Sequence, residues 1–322
     1  MKVAFLTKAR PEVLERIPKD LPHVILAAGP GDRYSPEDLA KVADVDAFLV
    51  SAEPVHEQLL AAAPMLKIVQ RMGVGYNSLD LEACAKRAIP CCNVAGVNKE
   101  AVAEHGMALI LALAKNLREA DAVTRQADWP AARLLTKRSF ELYNKTLGVV
   151  GLGDTGSNLA RRAKAFDMEI VYNDIRPIDA RIVEELGAVF MEKDELFQKA
   201  DVVSINTDLN EQSQGMVDPR RLALMKPGAL LVCCARGHIV DEQALADALN
   251  SGRLAGAGFD VFTEEPIVKD NPLRSAKNCL ITAHIAGVNP ESGARGIVLS
   301  LENVRAVVER GQKPKWVVNG VK

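Results

Sequence analysis

Thr146-Leu-Gly-Val-Val-Gly-Leu-Gly-Asp-Thr-Gly-Ser157 reads as an apolar strand that runs into three spaced glycines and then a helix. In that setting Gly151 allows the tight turn, Gly153 lets the backbone approach a pyrophosphate, and Gly156 lets the helix pack closely on the strand. Phosphates then meet free N–H groups where the helix begins, at Asp154 and Thr155. Working outward, a second strand, Glu169-Ile-Val-Tyr-Asn, leads to Asp174, eighteen residues past Gly156. An acid at that spacing accepts both ribose hydroxyls of an adenosine and repels the extra phosphate of NADP. Strand, glycines, helix, second strand and acid in this order predict an NAD site. Arg176 can either greet a 2′-phosphate or stand as a solvated surface charge, and the second is preferred.

The 322 residues allow two domains of ordinary size. With 48% apolar residues, 25% charged residues and a net charge of −2, the chain carries neither a nucleic-acid footprint nor an acidic tail. The expected partner is small, with no nucleic acid and no membrane. No apolar run approaches the length of a membrane span, and the segment starting at Met1 reads as a first strand rather than a signal sequence. Cys84, Cys91, Cys92, Cys233, Cys234 and Cys279 fall inside apolar runs without zinc-ligand spacing or a disulfide framework, so reduced thiols in the cytoplasm are expected.

Short apolar runs at 3–6, 24–28, 47–50, 68–72 and 91–94 alternate with helical stretches, which predicts a doubly wound parallel sheet. A long helix from Lys99, apolar at its centre, should be buried on most sides. After the glycine motif the alternation resumes at 202–205, 229–234, 255–261 and 279–283, a second doubly wound sheet. A helix over 293–310 and Trp316-Val-Val-Asn follow, and can return to the first domain. Ligand is expected at the carboxyl ends of the strands, in a cleft between the sheets.

Arg236, Glu265 and His284 stand where late strands of the second sheet end, and can converge on one small molecule. Interconverting an alcohol and a ketone with a nicotinamide needs a group that takes or gives the hydroxyl proton, and an imidazole paired to a carboxylate suits that task. His284 is the expected base and Glu265 its partner, holding the ring in one tautomer. Arg236 supplies a charged fork for the carboxylate or 2-oxo oxygen of an acid. Taken singly, each has a bland reading: a packed or surface histidine, a solvated Glu264–Glu265 pair, a locally paired arginine. The turn Gly73-Val-Gly75 can present two bare N–H groups to an anion or simply be a tight loop after a strand.

The chain resembles the D-isomer-specific 2-hydroxyacid dehydrogenases. The resemblance spans nearly its whole length: Arg71-Met-Gly-Val-Gly-Tyr-Asn-Ser-Leu-Asp-Leu, Ala101-Val-Ala-Glu-His-Gly, the glycine motif, Met225-Lys-Pro-Gly-Ala-Leu-Leu-Val-Cys-Cys-Ala-Arg-Gly, Val240-Asp-Glu-Gln-Ala-Leu, Asp260-Val-Phe-Thr-Glu-Glu-Pro and Thr282-Ala-His-Ile-Ala-Gly. It implies an α/β chain with a flavodoxin-like substrate domain, residues 1–98 plus 290–322, and a Rossmann NAD domain, residues 99–289. It implies the triad Arg236, Glu265 and His284, with the Glu before Pro266 as the acid. Backbone amides at Val74 and Gly75 would hold the substrate carboxylate; a phosphorylated acid would need further cations there, for which Arg71 is the candidate, with a helix-facing or surface pair as its bland reading. Asp260 would receive the nicotinamide carboxamide, and Asn206, Cys234, Ala235 and Gly287 would complete the cofactor contacts. A homodimer joined through the cofactor domain is also implied.

Ala283, Ala286 and Cys233 replace residues frequent in the family, and Asn206-Thr-Asp208 stands where a His-x-Pro often does. Asp208 can bond the adenine ribose or be a surface loop residue. The activity implied is hydride transfer between NADH and a small 2-oxo acid of the glyoxylate, hydroxypyruvate or 3-phosphoglycerate type. Two alternatives share the fold: a formate dehydrogenase, which Glu265 argues against because a Gln is usual there, and an NAD-binding corepressor, which usually has longer tails.

Overall fold

A computed structural model describes residues 1–8 and 15–321, and divides into two compact units, Met1–Asn98 with Asn289–Lys322, and Lys99–Val288. In the first unit, β1 (Val3–Leu6), β2 (His23–Leu26), β3 (Ala47–Val50), β4 (Ile68–Arg71) and β5 (Cys91–Cys92) form a parallel sheet in the order β2-β1-β3-β4-β5. β1 and β3 are buried throughout, as apolar strands covered on both faces must be. The helix Pro290–Val308 belongs to this unit. Asn289 caps it by accepting the Ser292 N–H, and Pro290 fits its first turn, so it starts three residues before the expected 293. Beyond it, Val318 N–H donates to Cys91 O, and Asn319 bonds Cys91 N and Ile89 O, covering the β5 edge.

The second unit holds β6 (Thr146–Val150), β7 (Glu169–Asn173), β8 (Val189–Phe190), β9 (Val202–Ile205), β10 (Leu230–Cys233), β11 (Gly256–Phe259) and β12 (Cys279–Ile281). All pairs are parallel, in the order β12-β11-β10-β9-β6-β7-β8. The order reverses between β6 and β9, the place where such sheets bind ligands. The helix Lys99–Ala114, spanning the residues read from its composition, packs through glycines on β11 and on the helix Asp154–Lys164. A Cβ at Gly258 would lie 2.9 Å from Leu109 Cβ, one at Gly256 would lie 2.9 Å from Leu113 Cδ2, and one at Gly106 would lie 3.1 Å from Leu159 Cδ1.

Several strands are shorter than the apolar runs suggested. β5 ends at Cys92 because Asn93 and Val94 leave the sheet to bond the loop after β4, and β11 ends at Phe259 as Asp260 turns to another task. β8 and the helices Leu117–Arg125 and Trp129–Leu134 were not anticipated. The described cysteines are free, and burial pushes the thiols of Cys233 up to about 11 and of Cys92 and Cys279 up to about 12. No described helix is long and apolar enough to cross a membrane.

Replacing Gly258 by Val should lower the unfolding free energy by about 1–3 kcal/mol, because the helix must move off the strand. Gly252 has φ +76° and open space around its Cβ position, so Gly252→Ala should cost about 1 kcal/mol from the backbone alone. Urea midpoints read both, and a Gly258→Val midpoint at the unaltered value would refute the packing account.

Candidate active site

The glycine motif forms the turn from β6 into the helix Asp154–Lys164. Gly151 has φ +90°, and a Cβ on it would lie 2.8 Å from Thr207 N and 2.9 Å from Asn206 C. A Cβ on Gly156 would lie 2.0 Å from Gly151 O, so only glycine lets the helix start this close to the strand. Gly153 is different: around its Cβ position only Arg176 Nη2 comes near, at 3.7 Å. No side chain caps this helix, so its first N–H groups are left for an anion. An uncapped helix start beside a bare glycine fits a dinucleotide pyrophosphate.

Asp174 follows β7. Its carboxylate accepts Leu152 N at 2.9 Å and Arg176 N at 2.9 Å, which fastens it beside the glycine turn with lone pairs left for ribose hydroxyls. Arg176 is exposed, with Nε 3.8 Å from Asp174 Oδ1. Asn206 donates to Ser204 and stands against Gly151, whereas Asp208 is an exposed loop residue whose carbonyl accepts Ser213 Oγ at 2.7 Å.

Three short segments meet at the carboxyl ends of β10, β11 and β12. Arg236 follows β10, and the next residue must be glycine, because a Cβ on Gly237 would lie 1.9 Å from Phe262 C and 2.2 Å from Thr263 N. That close approach seats the Arg236 backbone against the segment carrying Glu265. Glu265 Oε1 accepts Phe262 N at 2.9 Å, and Oε2 lies 2.6 Å from His284 Nδ1. The carboxylate therefore faces the Nδ1 side of the ring, which leaves Nε2 as the atom that can exchange a proton with a ligand. The His284 side chain is 48% exposed, so a ligand can reach it. Arg236 Nη1 donates to Ala235 O at 2.7 Å. Cys234 and Ala235, between β10 and Arg236, are half-buried.

Asp260 holds this arrangement. Only 1% exposed, its Oδ1 accepts Thr282 Oγ1 at 2.6 Å and Ile285 N at 2.9 Å, and its Oδ2 accepts Ala286 N at 2.8 Å. The residue expected to meet a carboxamide thus also fastens the loop 282–286 on both sides of His284. His284 itself has φ +53°, an uncommon conformation for a side-chain-bearing residue, and its N–H donates to Asp260 O at 2.7 Å. Gly287 comes next after the loop 282–286.

Sequence reasoning gave no role to three residues here. His105 Nε2 lies 3.0 Å from Thr282 Oγ1. The single hydroxyl proton of Thr282 goes to Asp260, so the histidine is the donor to Thr282. Glu242 accepts Thr263 N at 2.7 Å and Asn271 Nδ2 at 2.7 Å, tying down the loop around Glu265. Their only sequence trace was their place in the quoted motifs.

In the first unit, the turn Gly73-Val-Gly75 follows β4. Arg71 sends Nε to Gly75 O at 2.7 Å and Nη1 to Val50 O at 3.1 Å, so its guanidinium clamps the turn that contains Val74.

Asp260→Asn places an amide N–H where a donor now points and should lower stability by roughly 1–3 kcal/mol. The Ile285 and Ala286 amides should then exchange with deuterium faster than in the unaltered chain. Unchanged exchange at both would show that the loop is held by something else.

Known proteins share this construction. The model for the NAD binding domain of D-isomer specific 2-hydroxyacid dehydrogenases matches residues 107–286. A glyoxylate reductase of Korarchaeum cryptofilum (strain OPF8) is 37% identical over 284 residues, covering 87% of this chain and 85% of that protein. A D-3-phosphoglycerate dehydrogenase of Mycobacterium leprae (strain TN) is 39% identical over 268 residues, 83% of this chain and 50% of that one. Among solved structures, the holo form of Rhodotorula graminis D-mandelate dehydrogenase aligns at 26% identity with a TM-score of 0.88, covering 100% of this chain and 98% of that one. With the glycine turn, the following acid and the paired His284 and Glu265 in place, the chain belongs to the D-isomer-specific 2-hydroxyacid dehydrogenases, oxidoreductases that act on CH–OH groups with a nicotinamide cofactor.

Proposed function

We propose that the protein reduces a small 2-oxo acid, of the glyoxylate or hydroxypyruvate type, with NADH in preference to NADPH. The observation that carries this reading is the 2.6 Å contact between His284 Nδ1 and Glu265 Oε2, which leaves Nε2 of a half-exposed side chain ready for the proton half of the reaction. Bound at the glycine turn, NADH supplies the hydride. His284 Nε2 gives its proton to the carbonyl oxygen as the alcohol forms, and Glu265 stabilises the ring through Nδ1 in both protonation states. Arg236 holds the acid by its carboxylate or 2-oxo oxygen, drawing electron density from the carbon that is reduced. The retained glutamate at 265 supports a substrate with a hydroxyl proton to exchange, rather than formate.

Asp174 supports the NADH preference. With one backbone N–H on each oxygen it stays beside the turn, where it accepts ribose hydroxyls and repels a 2′-phosphate. The name of the Korarchaeum relative supports glyoxylate, and Arg71, the cation next to the turn that a phosphorylated acid would call on, has two of its nitrogens bonded to backbone carbonyls. Val74 and Gly75 are proposed to hold the acid's carboxylate by their N–H groups. The two-unit division supports assigning the first unit to substrate and the second to cofactor. A homodimer, joined through the cofactor unit, and a cytoplasmic location complete the proposal. The exposed Leu117, Trp129 and Leu134 on that unit support its pairing with a second copy.

His284→Ala should lower kcat by a factor on the order of a hundred or more while the NADH dissociation constant stays within about twofold. Steady-state kinetics and NADH fluorescence titration read the two separately, and a small kcat effect would place the proton donor elsewhere. Asp174→Ala should bring NADPH turnover closer to NADH turnover; a chain that already works better with NADPH would overturn the cofactor preference.

A further inference from the structure

We infer that Asn93 is a positioning residue for the acid's carboxylate, setting with Arg71 a row of three backbone N–H donors at Val74, Gly75 and Tyr76. This rests on the 2-oxo acid reading above. Three consecutive carbonyls of the turn are each held from the strand side. Gly73 O accepts Val94 N at 3.1 Å, Val74 O accepts Asn93 Nδ2 at 2.9 Å, and Gly75 O accepts Arg71 Nε at 2.7 Å. In a planar trans peptide the N–H of the next residue points opposite to the carbonyl. Holding these carbonyls toward the ends of β4 and β5 therefore aims the N–H groups of Val74, Gly75 and Tyr76 the other way. Among the described residues none of the three N–H groups has an acceptor. Successive bare N–H groups on one side of a turn make a concave anion site.

The holders are themselves held. Gln70 is fully buried on β4, and its Nε2 donates to both Arg71 O and Asn93 O at 2.9 Å. Its Oε1 accepts Asn303 Nδ2 at 2.7 Å, and Asn303 also bonds Lys315 O at 3.1 Å and accepts Lys315 N at 2.9 Å. Every donor and acceptor of these two buried amides is used, so the network has one arrangement. Gly296, on the helix Pro290–Val308, backs the same place: a Cβ there would lie 2.5 Å from Met72 O. Arg71 is thereby reassigned from a direct cationic contact to a clamp on Gly75.

The test compares the unaltered chain with Asn93→Ala, using oxamate as the probe. Oxamate is titrated into the enzyme–NADH complex by NADH fluorescence, alongside steady-state kinetics with glyoxylate. The expected result is a roughly tenfold rise in both the oxamate dissociation constant and the glyoxylate KM, with kcat and NADH affinity within about twofold. Asn93→Leu fills the same space without a donor and serves if the alanine variant does not fold. Oxamate affinity and KM unchanged in a folded variant would overturn the inference, as would a joint fall in kcat and NADH affinity with KM unmoved. An unaltered chain that binds NADH but neither binds oxamate nor reduces 2-oxo acids would instead overturn the functional reading, and this one with it.

Discussion

The Asp260 carboxylate, almost wholly removed from solvent, is tolerable only because donors surround it. Thr282 Oγ1 and the backbone N–H groups of Ile285 and Ala286 supply them, and all come from one short segment after β12. Satisfying the carboxylate therefore fixes the path of that segment. His284 lies inside it, held at φ +53° by a conformation its neighbours determine. The histidine's reach to Glu265 follows from the placement of Asp260, and His105 steadies the same network through Thr282.

The other half of the pair depends on a steric constraint. Gly237 lets the chain after β10 come within contact of the Phe262–Thr263 backbone, and Glu242 fastens that backbone by accepting Thr263 N. Glu265 then folds back to accept Phe262 N with one oxygen and faces the imidazole with the other. Arg236, Glu265 and His284 come from three strand ends, yet each is set by a bond or close approach within two or three residues of it. Rigid strands bring the ends together, and these local ties convert proximity into geometry.

How much of this was legible follows from where the information lies in the chain. The glycine turn was readable because its constraint is local: Gly151 and Gly156 lie in one short stretch of chain, the first in the turn after β6 and the second in the first turn of the helix, and the missing Cβ at each is a property of the residue itself. The fully buried strands β1, β3 and β9 announced themselves as short apolar runs. β8 did not, being two exposed residues on an edge, and Trp129–Leu134 is too short to show a period and buries none of its residues. The anchoring role of Asp260 was hidden because its donors lie more than twenty residues away. Arg71 showed its charge and its place beside the turn, but that its guanidinium binds Val50 O depends on β3 lying next to β4, which no single segment reveals.

The most direct measurement of the central claim is the handedness of the product. Purified protein is given hydroxypyruvate and NADH, the loss of NADH absorbance is followed, and the glycerate formed is resolved on a chiral column. The account predicts NADH consumption matched mole for mole by D-glycerate. NADH left unconsumed, or the L isomer as product, would contradict it.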